Sequence, residues 1–125
     1  MRLLLDTHFA YWVFYETARL SRQAKEYIYG AEEIFVSSAS IWEMAIKVRL
    51  GKMGGDPQKL VSMIEEADFE ELPVLSRHAV LVADMPMHHA DPFDRLLIAQ
   101  AQAEGLRLLT ANAKLKPYGD LVVCV

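Results

Sequence analysis

The chain has almost no cysteine and no long apolar run. Cys124 is alone, so no internal disulfide can form. The longest apolar runs, such as residues 121–125, are far shorter than the roughly 20 residues that span a bilayer. Asp6 interrupts the N-terminal apolar stretch, which argues against a signal peptide. We therefore expect a cytoplasmic protein with no membrane association.

The chain also lacks an excess of positive charge. It has 13 Lys and Arg against 17 Asp and Glu, which gives a net charge of −4. A broad nucleic-acid-binding surface is disfavoured because phosphate affinity comes from Lys and Arg, but an enzyme with a cation-filled acidic pocket remains compatible. Basic residues cluster locally, most simply as solvated helix faces, at Arg19, Arg22 and Lys25, at Lys47, Arg49 and Lys52, and at Lys114 and Lys116.

Short apolar strands alternate with helices along the chain. Strands are predicted at residues 2–5, 34–37, within 69–75, at 106–110 and at 121–125. Helices are predicted at 9–14, 21–29, 40–50, 57–67, 76–84 and 92–104. With 53% hydrophobic residues and no linker, we expect residues 1–125 to form one α/β domain. Its central, mainly parallel sheet of about five strands would be covered by helices on both faces.

Acidic side chains stand where apolar strands give way to helices. Asp6 follows the first strand, Glu43 follows the second, Asp91 and Asp94 begin the helix at 92–104, and Asn112 stands at a fourth such junction. Side chains at the carboxyl ends of parallel strands meet at one edge of the sheet. Clustered carboxylates repel one another unless they are protonated or bridged by a cation, and oxygen ligands suit Mg²⁺ or Mn²⁺. The pattern therefore predicts a divalent-cation pocket.

Helix capping is the competing interpretation of each of these residues. Ser40 and Glu43 fit a capping box, and Asp91 fits an N-cap before a proline. Asp6 and Asn112 also fit N-caps. Capping explains Asp6 least well, because a charge beside three leucines of a central strand is costly unless it is paired.

Other sites are less well supported by the sequence. His88 and His89 precede Asp91, but adjacent histidines in a strand point to opposite sides and no His or Cys pair lies elsewhere, which disfavours zinc. Residues 51–55 are rich in glycine but lack the spacing of a phosphate-binding loop. A receiver domain would need further acids before Asp6. A magnesium phosphohydrolase would normally need an Asp where His8 stands.

Four segments of the chain resemble the PIN-domain ribonucleases, and among them the VapC-type toxins of bacterial toxin–antitoxin pairs. These are residues 3–8, 38–47, 50–52 and 88–101, and the Asp-Pro-Phe-Asp-Arg stretch at 91–95 is the most specific. The resemblance implies a PIN-like three-layer α/β/α sandwich. It also implies a metal-dependent endoribonuclease, in which an activated water hydrolyses RNA.

The resemblance assigns a role to particular residues. It implies that Asp6, Glu43, Asp91 and Asp94 are catalytic, and that Asp6 and Asp94 bind Mg²⁺ or Mn²⁺. The fourth motif of the family usually reads Thr-x-Asp, whereas this chain has Thr110-Ala111-Asn112. The amide keeps an oxygen but loses a charge, so any second metal position should be weaker. The set expected to orient ligands or contact RNA is Thr7, Arg95, Thr110 and Asn112.

The same resemblance implies particular partners. These are an RNA substrate, a cognate antitoxin whose Arg or Lys enters the acidic pocket, and a second copy of the chain. We expect the homodimer face to come from apolar residues, namely Phe9, Tyr11, Trp12, Phe14, Tyr15, Trp42, Met44 and Met53. The alternative, favoured by Asn112, is a catalytically weak or inactive PIN-like module that binds RNA or protein.

Overall fold

Five strands form one parallel sheet in the computed structural model, which describes residues 1–125. The strands are β1 (Arg2–Leu5), β2 (Glu33–Ser37), β3 (Glu70–Leu72), β4 (Arg107–Thr110) and β5 (Val122–Cys124). Their order in the sheet is β3-β2-β1-β4-β5, and all four pairings are parallel. The central strand is β1, in which Leu4 is paired with Phe35 on one side and Leu108 on the other.

Helices cover both faces of this sheet. They are α1 (Thr7–Tyr15), α2 (Arg22–Gly30), α3 (Ser38–Arg49), α4 (Pro57–Glu66), α5 (Ser76–Leu81) and α6 (Pro92–Glu104), with short 3-10 helices at Thr17–Arg19, Val82–Asp84 and Ala113–Tyr118. Because side chains alternate along a strand, Leu3 and Leu5 pack with residues of α1 to α4. Leu4 points to the opposite face and packs with Leu97 of α6. The three-layer α/β/α sandwich is confirmed.

Local sequence signals define the ends of α6 well. Asp91 is its N-cap, Pro92 occupies the first turn, and Gly105 ends it with φ of 66°, a left-handed conformation that favours glycine. Ser21 likewise caps α2, as predicted. No helix has both the length and the apolar content that crossing a bilayer requires.

The predicted start of the third helix at Ser40 is wrong by two residues. Ser37, the last residue of β2, is the N-cap of α3, and its hydroxyl accepts a hydrogen bond from the Ala39 amide at 3.0 Å. Glu43 therefore lies beyond the first turn and does not form the capping box proposed with Ser40. Each of the serines at 37, 38 and 40 is a suitable N-cap residue, and the helix begins after Ser37 because β2 ends there.

The apolar residues predicted for a dimer face divide into two groups. Phe9 and Met44 are core residues, each 2% exposed. The others in α1, together with Met53, are half-buried against the same core. Trp42, in contrast, is 62% exposed and stacks edge-on against Phe93, with ring centroids 5.2 Å apart. Core packing therefore accounts for most of the aromatic residues of α1.

Candidate active site

The acidic junctions come together at the carboxyl edge of the sheet. Asp6, Asp94 and Asn112 line one pocket of about 300 Å³, together with His8, Trp12 and Ala111. The charges of Glu43 and Asp91 also act on Asp94. The structure thus places the four predicted acids within one electrostatic environment.

Asp6 is a helix cap and a pocket residue at the same time. Its Oδ1 accepts a hydrogen bond from the Phe9 amide at 2.8 Å, and its Oδ2 accepts one from the Thr110 hydroxyl at 2.7 Å. The side chain is nearly enclosed, and this burial raises its pKa from 3.8 to about 6, against the effect of both hydrogen bonds. The nearby charge of Asp94 adds to the increase. The capping role is real, but it leaves an electrostatically strained carboxylate facing the pocket.

Glu43 is held by a polar network between α1 and α3. Its Oε1 accepts a hydrogen bond from the Thr7 hydroxyl at 2.7 Å, and the same hydroxyl lies 3.0 Å from Ser40 Oγ. Its Oε2 forms an ion pair with Lys47 Nζ at 3.0 Å. Thr7, like Thr110, therefore orients a carboxylate.

Asp91 and Asp94 form the third part of the site at the start of α6. Asp91 Oδ1 accepts hydrogen bonds from the amides of Phe93 at 2.8 Å and Asp94 at 3.3 Å. Asp94 Oδ2 lies 2.9 Å from His89 Nε2. Burial and the charge of Asp91 raise the pKa of Asp94, whereas the bond to His89 lowers it.

His89 is a member of this site that was not predicted from the sequence. His88 and His89 were expected to lie in a strand, but residues 85–91 form none. The ligand atoms of His89, Asp91 and Asp94 lie within 4.8 Å of one another. The signal that was available is the closeness of His89 to the Asp-Pro-Phe-Asp stretch.

Arg95 does not fill the role expected for it at the RNA backbone. The residue is 6% exposed, and its guanidinium donates hydrogen bonds to the carbonyl oxygens of Val82 at 3.1 Å and Pro86 at 2.9 Å. It also lies 3.2 Å from the Tyr118 hydroxyl. Arg95 therefore fixes the segment before α6, and both of its terminal nitrogens already donate hydrogen bonds within the protein.

Asn112 combines a structural and a pocket position. Its Oδ1 accepts a hydrogen bond from the Lys114 amide at 3.1 Å, so it caps the 3-10 helix as predicted. The backbone amide of Asn112 donates a hydrogen bond to Thr110 Oγ1 at 3.0 Å, and this hydroxyl is the one that holds Asp6. Asn112 thus supports the pocket wall without contributing a charge to it.

The chemistry of these residues fits a divalent cation. One oxygen of Asp91 and one of Asp94 accept no hydrogen bond from the protein. Asp94 shares a pocket with the buried Asp6, whose charged form is unfavourable without a counter-charge. A divalent cation between them would remove this repulsion, and carboxylate oxygens are the ligands that Mg²⁺ and Mn²⁺ prefer. The fold and the site define a parallel α/β/α protein with an acidic, cation-compatible pocket at the carboxyl edge of its sheet.

Comparison with known proteins agrees with this class. The family model of the PIN domain matches residues 3–121, and the chain belongs to this family. Ribonuclease VapC22 of Mycobacterium tuberculosis is 31% identical over 118 residues, which cover 93% of this chain and 91% of the relative. The resemblance to VapC-type PIN-domain ribonucleases is therefore confirmed.

Solved structures show the same fold at lower sequence identity. VapBC2 from Rickettsia felis, crystallised with a DNA fragment from its promoter, matches 100% of this chain and 98% of that chain with a TM-score of 0.72 and 17% identity. FitAcB from Neisseria gonorrhoeae matches 98% of this chain and 96% of that chain with a TM-score of 0.66 and 18% identity. These similarities confirm the PIN-like architecture.

Proposed function

We propose that this protein is an Mg²⁺- or Mn²⁺-dependent endoribonuclease and the toxin of a toxin–antitoxin pair. The observation that carries the proposal is the convergence of Asp6, Glu43, Asp91 and Asp94 at one sheet edge in a chain related to Ribonuclease VapC22. A pocket of clustered carboxylates has no electrophile of its own to neutralise charge that develops on a phosphodiester. It therefore needs a cation to act on a phosphodiester.

Each residue of the site has a distinct task in this proposal. Asp6 and Asp94 would hold the cation, and Asp91 and Glu43 would bind it directly or through water. Thr110 and Thr7 keep the carboxylates of Asp6 and Glu43 in fixed orientations. When bound, the cation would make a water more acidic and would neutralise charge that develops on the phosphodiester.

Three neighbouring residues modify this arrangement. Lys47 balances part of the charge of Glu43, with a separation of 3.0 Å. His89 holds one oxygen of Asp94, and its ring would share a cation with Asp91 and Asp94. Asn112 supplies an oxygen where the family motif has a carboxylate, so we propose that a second cation binds weakly or not at all.

The test is cleavage of a labelled single-stranded RNA with Mn²⁺, with Mg²⁺ and with EDTA. Cleavage should require the metal. Glu43→Gln and Asp94→Asn should lower the rate by orders of magnitude while circular dichroism remains unchanged, and Glu65→Gln, on the exposed face of α4, serves as the control. Cleavage undiminished by EDTA, or equal rates for all three variants, would refute the assignment.

A second candidate function is a PIN-like module that binds RNA or protein without cleaving it. Asn112 favours this alternative because it removes one charge from the pocket. The same assay distinguishes the two functions. RNA that is bound but left intact at saturating Mn²⁺ supports the binding module.

The proposed toxin acts in the cytoplasm and has two protein partners. A cognate antitoxin would place an Arg in the acidic pocket, where a guanidinium can form paired bonds with carboxylates and displace the cation. A second copy of the chain would cover the exposed Trp42 and its neighbours on α3. Sedimentation should show a dimer, and co-expression with the adjacent gene should give a complex without nuclease activity. A monomer at tens of micromolar would contradict the dimer.

A further inference from the structure

A second cleft adjoins the acidic pocket and has the opposite charge. It has a volume of about 440 Å³ and lies between α1 and α3. Its charged or aromatic lining residues include His8, Trp12, Glu16, Arg19, Lys47 and Lys52. His8 and Trp12 also line the acidic pocket, so the two cavities share a wall. A chain molecule lying in the cleft would therefore continue directly to the carboxylates.

The positive charges of the cleft differ in their availability. Arg19 is paired with Glu16 at 3.0 Å, and Lys47 is paired with Glu43 at 3.0 Å. Lys52 is exposed and forms no ion pair within the chain. The ammonium of Lys52 is thus available to an anionic ligand at once, and the other two cations retain donors for a phosphate oxygen.

The shared wall presents aromatic rings. His8 is exposed and its ring centroid lies 5.8 Å from that of Trp12, with the planes inclined at 45°. The guanidinium carbon of Arg19 lies 5.9 Å from the centre of the Trp12 ring. Rings next to cations are the combination that binds unpaired nucleotides, because every base has a face that stacks.

We propose that this cleft is the binding site for a single-stranded segment of RNA that flanks the bond to be cut. A phosphate of this segment binds Lys52 and the neighbouring cations, and one base stacks on the shelf of His8 and Trp12. The next phosphodiester then lies over Asp6 and Asp94. This assignment rests on the proposed function and adds the residues that hold the RNA beside the bond to be cut. A base-paired strand has no free face to offer to the shelf.

Binding of a short fluorescent single-stranded RNA in EDTA tests the charge part of this proposal. Lys52→Glu should weaken binding severalfold and should lower the slope of log affinity against log salt by about 0.7, the contribution of one phosphate contact. Lys59→Glu is the matched control, since Lys59 is an exposed lysine of α4 outside the cleft. Equal loss in the two variants would overturn the site.

The stacking part has its own readouts. His8→Ala should weaken binding by about five- to a hundredfold, as for the loss of one stacked base. The chain has two tryptophans, so each single substitution leaves one of them as the fluorescent reporter. RNA should quench the fluorescence of the Trp42→Phe protein, which keeps Trp12. It should not quench that of the Trp12→Phe protein. Quenching of Trp42 alone would refute the shelf.

Competition experiments separate the substrate classes. Duplex RNA of the same length should compete weakly with the labelled strand, as should an acidic peptide of equal charge. Effective competition by the peptide would assign the cleft to a protein partner, and effective competition by the duplex would exclude stacking. If the wild-type protein cleaves RNA but Lys52→Glu and His8→Ala bind RNA normally, the cleft is not the binding site and the proposed nuclease function is unaffected. Lack of cleavage with Mn²⁺ would reject the nuclease alone.

Discussion

Replacing Asp6 by Asn should remove a specific pH dependence of stability. The raised pKa of Asp6 means that the folded protein holds this proton more tightly than the unfolded chain does. Between pH 3.8 and about 6, the folded state keeps a proton that the unfolded state has lost. The free energy of unfolding therefore falls as pH rises through this window, and it does not recover at higher pH.

The size of the effect follows from the two pKa values. The pKa rises from 3.8 to about 6. At about 1.36 kcal/mol for each pH unit, this difference corresponds to about 3 kcal/mol of stability. Asn has no ionisation to lose. The substitution also rearranges the hydrogen bond to Thr110. This change shifts the free energy of unfolding of Asp6→Asn by the same amount at every pH and leaves its pH dependence unchanged.

Urea unfolding in EDTA from pH 4 to pH 8 measures this difference. The free energy of unfolding of wild type, minus that of Asp6→Asn, should fall by about 2–3 kcal/mol across the range. Mn²⁺ at pH 8 should then stabilise the wild type, by about 2.7 kcal/mol at a hundredfold excess over its Kd, and should have much less effect on the variant. Parallel pH profiles for the two proteins would refute the argument that Asp6 is strained by burial.

Further predictions concern the pocket, its support and the core. Asn112→Asp should tighten Mn²⁺ binding in titration calorimetry, and weaker binding would contradict a position of Asn112 beside the cation. Asp91→Asn should reduce cleavage less than Asp94→Asn, because Asn preserves the helix cap; the reverse order would show that Asp91 is the principal ligand. Arg95→Lys should lower the free energy of unfolding by about 2–4 kcal/mol, because buried carbonyl oxygens lose their donors, with RNA affinity unchanged. Leu4→Ala should cost about 2–5 kcal/mol in urea unfolding, and a much smaller loss would question its place in the core.

The sheet and most helix ends were predictable because their signals are local. Leu3, Leu4 and Leu5 form a short apolar run, which marks a buried strand, and the position of β1 is confirmed. Asp91, Pro92 and Gly105 likewise define α6 through their own backbone preferences. Such features depend on a few neighbouring residues, so the sequence contains what is needed to place them.

Features that depend on distant packing were not predictable in the same way. The pattern of residues 37–40 does not show which serine ends β2, so the start of α3 was misplaced. Arg95 stands in a motif next to the proposed metal ligand Asp94, but five hydrogen bonds to the preceding segment and Tyr118 turn it inward. His89 joins Asp94 only because its segment is not a strand. In each case a tertiary contact decides the role of the residue.

The bond between Asp6 and Thr110 has a consequence for the time at which activity arises during synthesis. It joins residues 104 positions apart, and it forms where β1 pairs with β4. A ribosome adds about 5–20 residues each second, and the N-terminal strand emerges long before its partner. The pocket cannot close until residues 107–110 have left the exit tunnel. A growing chain without β4 therefore lacks the contact that holds Asp6, and the complete pocket forms only when the last elements of the sheet are in place.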